Sequence, residues 1–135
     1  MTIHLSQALE TRLRAEKVAW LTAVGREGKP YPTPVWFLWD GRSFLIYSQP
    51  QALKIRAIRN NPRVALHLNT DKWGSKVVVF WGRATIEQEG PSALQVPEYL
   101  AKYRQGLADL EMTPEQMAAD YSAAIRVVPD RVRDE

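Results

Sequence analysis

The most restrictive feature of this chain is a pair of β-forming runs, YPTPVWFLWD ending at Asp40 and RSFLIYS beginning at Arg42, which meet at Gly41. Asp40-Gly41 tolerates the positive φ that a tight turn requires, so the two runs are expected to fold back on each other as antiparallel strands. The same pattern recurs along the chain. VAWLTAV (residues 18–24) reads as a strand followed by the turn segment GREGKP. RVALHLNT reads as a fourth strand, KVVVFWGRATIEQ as a long fifth and AAIRVV (123–128) as a sixth, with VPDRVRDE as a frayed end.

Short helices interrupt this series. The first runs from an N-cap at Ser6 to Glu16, with Leu5, Leu9 and Leu13 on one face. Residues 51–61 (QALKIRAIRNN) form a second, stopped by Asn60-Asn61-Pro62; segments 97–107 and 114–121 are amphipathic, the latter started by Thr113-Pro114. The expectation is a mainly β protein with short α insertions: one domain over residues 1–135, built as a closed or partly closed six-stranded antiparallel barrel. Side chains fill so small an interior. A ligand would therefore sit in an outer groove, of the kind a second copy of the chain completes.

The chain contains no cysteine, which excludes disulfides, thiolate metal sites and a cysteine nucleophile and suits a reducing compartment. No apolar run is long enough for a signal peptide or a membrane span, so a cytoplasmic protein without a membrane partner is expected. The net charge of +3 is unevenly distributed. Residues 41–85 carry eight basic groups (Arg42, Lys54, Arg56, Arg59, Arg63, Lys72, Lys76, Arg83) against Asp71, whereas residues 86–135 carry five basic and ten acidic groups. Such a middle segment suits an anionic partner, unless folding mixes it with the acidic third.

Self-sufficient catalytic constellations are missing. His4 and His67 have no partner at metal-ligand spacing and read as structural, so no metal is expected. There is no nucleophile elbow, P-loop or dinucleotide fingerprint. A borrowed cofactor is the natural alternative. Lys54 is the most informative residue: on a helical wheel it falls inside the apolar arc of Leu53, Ile55, Ala57 and Ile58, with Arg56 and Arg59 opposite. A lysine placed there either snorkels to water or meets an anion. Ser48 and Gln49 lie just upstream, and a hydroxyl, a helix start and an ammonium together can cradle a phosphate. Nine of the thirteen aromatic residues lie between Tyr31 and Trp81, and Pro34-Val35-Trp36-Phe37-Leu38-Trp39 carries large rings on both strand faces. One face can fill a barrel. The other needs a covering, either a second copy or a flat conjugated ring.

The ordered series G-x-P-x-x-x-P-V-W-F-x-x-D-G, Y-S-Q-P-x-x-x-K-x-R, N-P-R-V-A-L and W-G-R-A resembles the pyridoxamine 5′-phosphate oxidase-like, FMN-binding split-barrel superfamily, in particular a branch of deazaflavin (F420) users. The resemblance spans about residues 5–128 and implies a homodimer with cofactor sites between subunits. By similarity, Pro34, Val35, Trp36 and Phe37 would lie along the cofactor ring, with their backbone at its polar edge. Tyr47, Ser48 and Gln49 would line the ribityl chain and phosphate, Lys54 and Arg56 would serve as phosphate cations, and Lys76 and Trp81 would come from the second subunit. The sequence lacks the Arg-x-His ending of true pyridoxamine phosphate oxidases, which argues against vitamin oxidation. A +7 middle segment suits the longer anion of F420 better than the single phosphate of FMN. The resulting expectation is a hydride-transferring oxidoreductase acting on a small unsaturated molecule, with Tyr47 or water as proton source. FMN is the alternative cofactor, and a non-catalytic cofactor carrier (haem included, with His4 or His67 as axial ligand) is the alternative class. Nucleic-acid binding would need base-stacking aromatics on one open sheet beside the basic groups, and is not expected.

Overall fold

The computed structural model describes residues 3–135. In chain order its elements are α1 (Gln7–Ala15), β1 (Ala19–Val24), β2 (Pro30–Val35), β3 (Leu38–Trp39), β4 (Phe44–Ser48), α2 (Leu53–Asn60), β5 (Arg63–Leu68), β6 (Val78–Glu87), α3 (Pro97–Asp109), α4 (Pro114–Asp120) and β7 (Ala123–Asp134). Local chemistry sets the boundaries. The Ser6 hydroxyl accepts from the Leu9 amide and starts α1, while Thr113 and Gln116 form a reciprocal capping box at α4. Gly41 takes φ 96° in the turn before β4, where Asp40 Oδ1 accepts from the amides of Arg42 and Ser43.

All seven strands form one antiparallel sheet in the order β2-β1-β5-β6-β7-β4-β3. Its two edge strands are consecutive in sequence and joined only by Trp36-Phe37. Two residues reach across roughly 10 Å at most, so the sheet must curl until its edges nearly meet. The result is a half-barrel split at Trp36-Phe37. The expected six strands are therefore seven, because YPTPVWFLWD breaks at those two residues to turn the corner.

The C-terminal segment is also corrected. It is not frayed: β7 runs to Asp134 and pairs Val132 with Phe80 and Asp134 with Val78, after a register shift at Trp81/Gly82. Ten-residue β6 supplies pairing partners for the whole tail, and Val132 packs against the core. On β2, Pro30, Pro32 and Pro34 stand opposite Val24, Thr22 and Trp20. Prolines have no N–H, so the ladder to β1 runs through Tyr31, Thr33 and Val35, and the proline carbonyls face the open edge. An edge without matching donors resists strand addition.

Apolar side chains pack in two clusters. The first fills the half-barrel with Leu21, Phe37, Phe44, Ile46, Leu66, Phe80 and Ile125, plugged by Leu9 and Leu13 of α1 and by Ile55, Ala57 and Ile58 of α2. The second lies outside the sheet, where Leu45, Tyr47 and Ala124 meet Tyr99, Tyr103, Leu107 and Met117 from α3 and α4. This explains why every residue of β4 is buried. No helix among the described residues is long and apolar enough to cross a membrane.

Candidate functional site

The split in the barrel is bridged from outside by Tyr103. Its hydroxyl accepts from the Phe37 amide (2.7 Å) and faces the carbonyls of Lys17 (2.7 Å) and Phe37 (3.0 Å). The Trp36 ring lies parallel to the Tyr103 ring, 4.4 Å centroid to centroid, and against Gly106. The second covering demanded by the two-faced aromatic strand is thus supplied at Trp36 by the chain's own α3. The Phe37 side chain is buried in the core and its backbone is already bonded to Tyr103 and Lys102, so it has no free group for a cofactor ring edge.

Lys102 bonds the carbonyls of Leu13 (3.2 Å) and Phe37 (2.9 Å) and sits 3.7 Å above the Phe37 ring centre. Burial, and secondarily the nearby Lys17 ammonium, lowers its pKa from 10.5 to about 8. A base depressed in the folded state binds fewer protons there than in the unfolded chain, so folding is favoured as pH rises from about 8 towards 10.5. The wild type is expected to gain stability relative to Lys102→Met over that interval, and to show no such gain between pH 6 and about 7. Urea unfolding of both proteins across that pH range measures it.

Beside this bridge opens a cleft of about 220 Å3, lined by Pro34, Val35 and Trp36 from the end of β2, Tyr47 of β4, Lys54 of α2, and Tyr99, Leu110, Met112, Met117 and Tyr121 from the helical segment. Lys54 lies on the inward arc of its helix, as its periodicity predicts, and is half-buried there beside buried Ile55, Ala57 and Ile58. Leu53 departs from that arc: at the first helical position it is 55% exposed and lines the opposite side of α2. Desolvation lowers the Lys54 pKa, and among the described residues no ion pair involves it. It is a partly desolvated cation with no counter-ion among the described residues.

The other residues singled out in the sequence divide into those at this cleft and those away from it. Tyr47 is in the cleft, but its hydroxyl donates to the Pro91 carbonyl (2.7 Å) and burial pushes its pKa up to about 12, so it is held protonated and engaged. The buried Ser48 hydroxyl donates to the Gln49 carbonyl, and Gln49 is exposed. Arg56 points to the far side of α2, where with Arg26 and Arg59 it lines an open groove of about 660 Å3 that also includes Tyr31, Leu53 and Asn60. Consecutive residues Leu53 and Lys54 thus reach groove and cleft. Lys76 is exposed in the loop before β6.

Trp81 is half-buried on the sheet's outer face, with the Arg131 guanidinium 5.4 Å from its ring centre. The register places Trp20, His67 and Val79 in one row of that face and Thr22, Ala65 and Trp81 in the next. His67 stacks on Trp20. The basic middle is not neutralised within the chain: of its eight cations only Arg63 forms an ion pair, with Asp130, among the described residues. No group of three or more potential metal ligands occurs among them. Tyr99, Met112, Met117 and Tyr121 of the cleft lining are not expected from the sequence. Tyr99 and Tyr103 are spaced as a helix's core-facing pair, which does not distinguish a cleft wall from a core.

Residues 5–135 match the family model described as pyridoxamine 5′-phosphate oxidase. Among solved structures, a conserved hypothetical protein from Mycobacterium tuberculosis is similar at a TM-score of 0.75 and 22% identity, over 98% of this chain and 86% of that one. An F420 reductase aligns at a TM-score of 0.72 and 21% identity, covering 96% and 98% of the two chains. The haem storage protein HutZ from Vibrio cholerae aligns at 0.67 and 17%, covering 95% and 93%. A search among curated proteins found no match. These structural likenesses establish the fold, and with the family model matching all but its first four residues, the chain belongs to the pyridoxamine 5′-phosphate oxidase family.

Proposed function

We propose that this protein is an oxidoreductase that holds the deazaflavin coenzyme F420, or in its place FMN, and reduces a small unsaturated molecule. The observation that carries this reading is the half-buried Lys54, unpaired among the described residues, sharing one cleft with Pro34, Val35, Trp36 and Tyr47. A desolvated cation without a counter-ion fits a phosphate, which would replace its lost hydration with charge-assisted bonds. The bound cofactor would supply the hydride chemistry. The chain's own residues would fix its phosphate and shelter its ring from water.

The choice of F420 over FMN rests on the groove across α2. Arg26, Arg56 and Arg59 line it, and none of the three forms an ion pair among the described residues. A cation cluster across α2 from Lys54 suits an anion that extends beyond one phosphate. In this reading Arg56 meets the anionic extension rather than the phosphate held by Lys54.

The active form in this proposal is a homodimer. A cleft of about 220 Å3 is below the roughly 300–1,000 Å3 usual for organic ligands, so further walls are needed. A second copy seated on the Trp20, His67 and Trp81 face would bring Lys76 and Trp81 of the partner subunit toward the Pro34 end of the cleft, since Pro34 stands opposite Trp20 on the neighbouring strand. The acidic helical segment of one copy would then oppose the basic middle of the other.

Mixing the purified protein anaerobically with reduced F420 and a panel of enones and quinones tests the proposal. Acceptor-dependent reoxidation above the protein-free rate is the expected result. Tight cofactor binding with no turnover by any acceptor would instead make the protein a carrier.

A further inference from the structure

Tyr99 is the one buried polar side chain of the cleft whose hydrogen bond is unaccounted for. It is 1% exposed, and its ring packs edge-on against Tyr47 (5.0 Å between centroids) and tilted against Tyr103 (5.0 Å). The hydroxyls of both neighbours are bonded to protein, Tyr47 to Pro91 and Tyr103 to Lys17 and Phe37. The Tyr99 hydroxyl makes no hydrogen bond among the described residues. Yet no fully buried side-chain nitrogen or oxygen there lacks a partner. The hydroxyl must therefore touch open space, and the space Tyr99 lines is the Lys54 cleft.

A buried hydroxyl with no protein partner costs stability unless something else satisfies it. Desolvation, with the tyrosine hydroxyls around it as lesser causes, raises its pKa, so it remains an O–H donor. The Lys54 ammonium is a donor as well. The rest of the lining is Pro34, Val35, Trp36, Tyr47, Leu110, Met112 and Met117, with Tyr121 at the mouth, 37% exposed. Donor groups on Lys54, Tyr99, Trp36 and Tyr121 thus sit in an otherwise apolar, polarisable wall with no carboxylate.

We propose that Tyr99 is a ligand-binding residue: its hydroxyl and the Lys54 ammonium form a two-donor anchor for the oxygens of an anionic group carried on a mostly apolar body. The anionic group is either the phosphate of a flavin-type cofactor or the carboxylate of a small aromatic substrate. The assignment does not require the guest to be a redox cofactor.

Tyr99→Phe keeps the ring and removes only the donor, and Tyr47→Phe serves as the control that removes a protein-bonded hydroxyl. Thermal melting without ligand and titrations with FMN, F420 and phenylacetate are the measurements. Tyr99→Phe is expected to melt at or above the wild-type temperature, while Tyr47→Phe melts lower. Affinity for at least one probe should fall about 10-fold or more in Tyr99→Phe, the loss of one hydrogen bond to a charged group. A loss with FMN or F420 assigns the anion to the cofactor. A loss with phenylacetate alone, FMN and F420 failing to bind, assigns it to a substrate and removes the cofactor reading without touching Tyr99. The inference is overturned if Tyr99→Phe binds every probe as the wild type does, if no probe binds the wild type, or if Tyr99→Phe melts as low as the control.

Discussion

Lys54→Ala is expected to weaken F420 and FMN binding by about 10- to 150-fold, corresponding to about 1.5–3 kcal/mol for a hydrogen bond to a charged group. The melting temperature should change little. Among the described residues Lys54 has no ion-pair partner to lose, and its partial burial disfavours its own charge. The wild-type Lys54 is thus a cost of the empty fold that a bound anion offsets, and truncation separates affinity from stability. Titration calorimetry on both proteins, with melting curves alongside, reads the two effects independently. Unchanged affinity with altered stability would mean that the ammonium reaches solvent along its aliphatic stem.

The largest expected effect on stability lies far from the cleft, at Gly82. A Cβ built there comes within 2.3 Å of the Val128 carbonyl oxygen and 2.7 Å of Pro129 Cα. Both obstacles are backbone, fixed by the β6–β7 ladder where its register shifts at Trp81/Gly82. Neither can rotate aside as a side-chain tip would. Gly82→Ala should therefore force the strands apart, costing about 3 kcal/mol or more and lowering the melting temperature by roughly 10 °C. Gly28, by contrast, has nothing within 4 Å of its added Cβ and is constrained only by φ 73°. Gly28→Ala should cost about 1–2 kcal/mol, which makes it a useful comparison in the same melting experiment.

The barrel was legible in the sequence because its signals are local. Asp40-Gly41, the alternation in RVALHL and the Ser6 and Thr113 caps each act within a few residues, and each element formed where those residues place it. Two features were not legible because they depend on distant partners. The break at Trp36-Phe37 exists because the curled sheet must bring β2 beside β3, with Tyr103 bonding the buried Phe37 backbone from 66 residues away. The ordered tail exists because β6 is long enough to pair with it.

The site divides in the same way. Lys54 could be found from helical periodicity alone, since a cation inside an apolar arc conflicts with its own solvation. Arg56 could not be separated from it by sequence spacing read as a motif, although the wheel already put Arg56 and Arg59 on the opposite side, and the structure places them in a different recess. Tyr99 carries no sequence signal at all. A tyrosine on the core face of an amphipathic helix reads as packing, and only the missing hydrogen-bond partner marks it as something else.

In the proposed function the Lys54 cleft takes the phosphate of a flavin-type cofactor. Equilibrium titration of the intact protein with F420, followed by its own fluorescence, and with FMN in parallel, tests it most directly. Saturable binding of F420 at micromolar concentration or tighter, stronger than that of FMN and weakened by salt, is the expected result. Neither cofactor binding to protein that circular dichroism shows to be folded would contradict it.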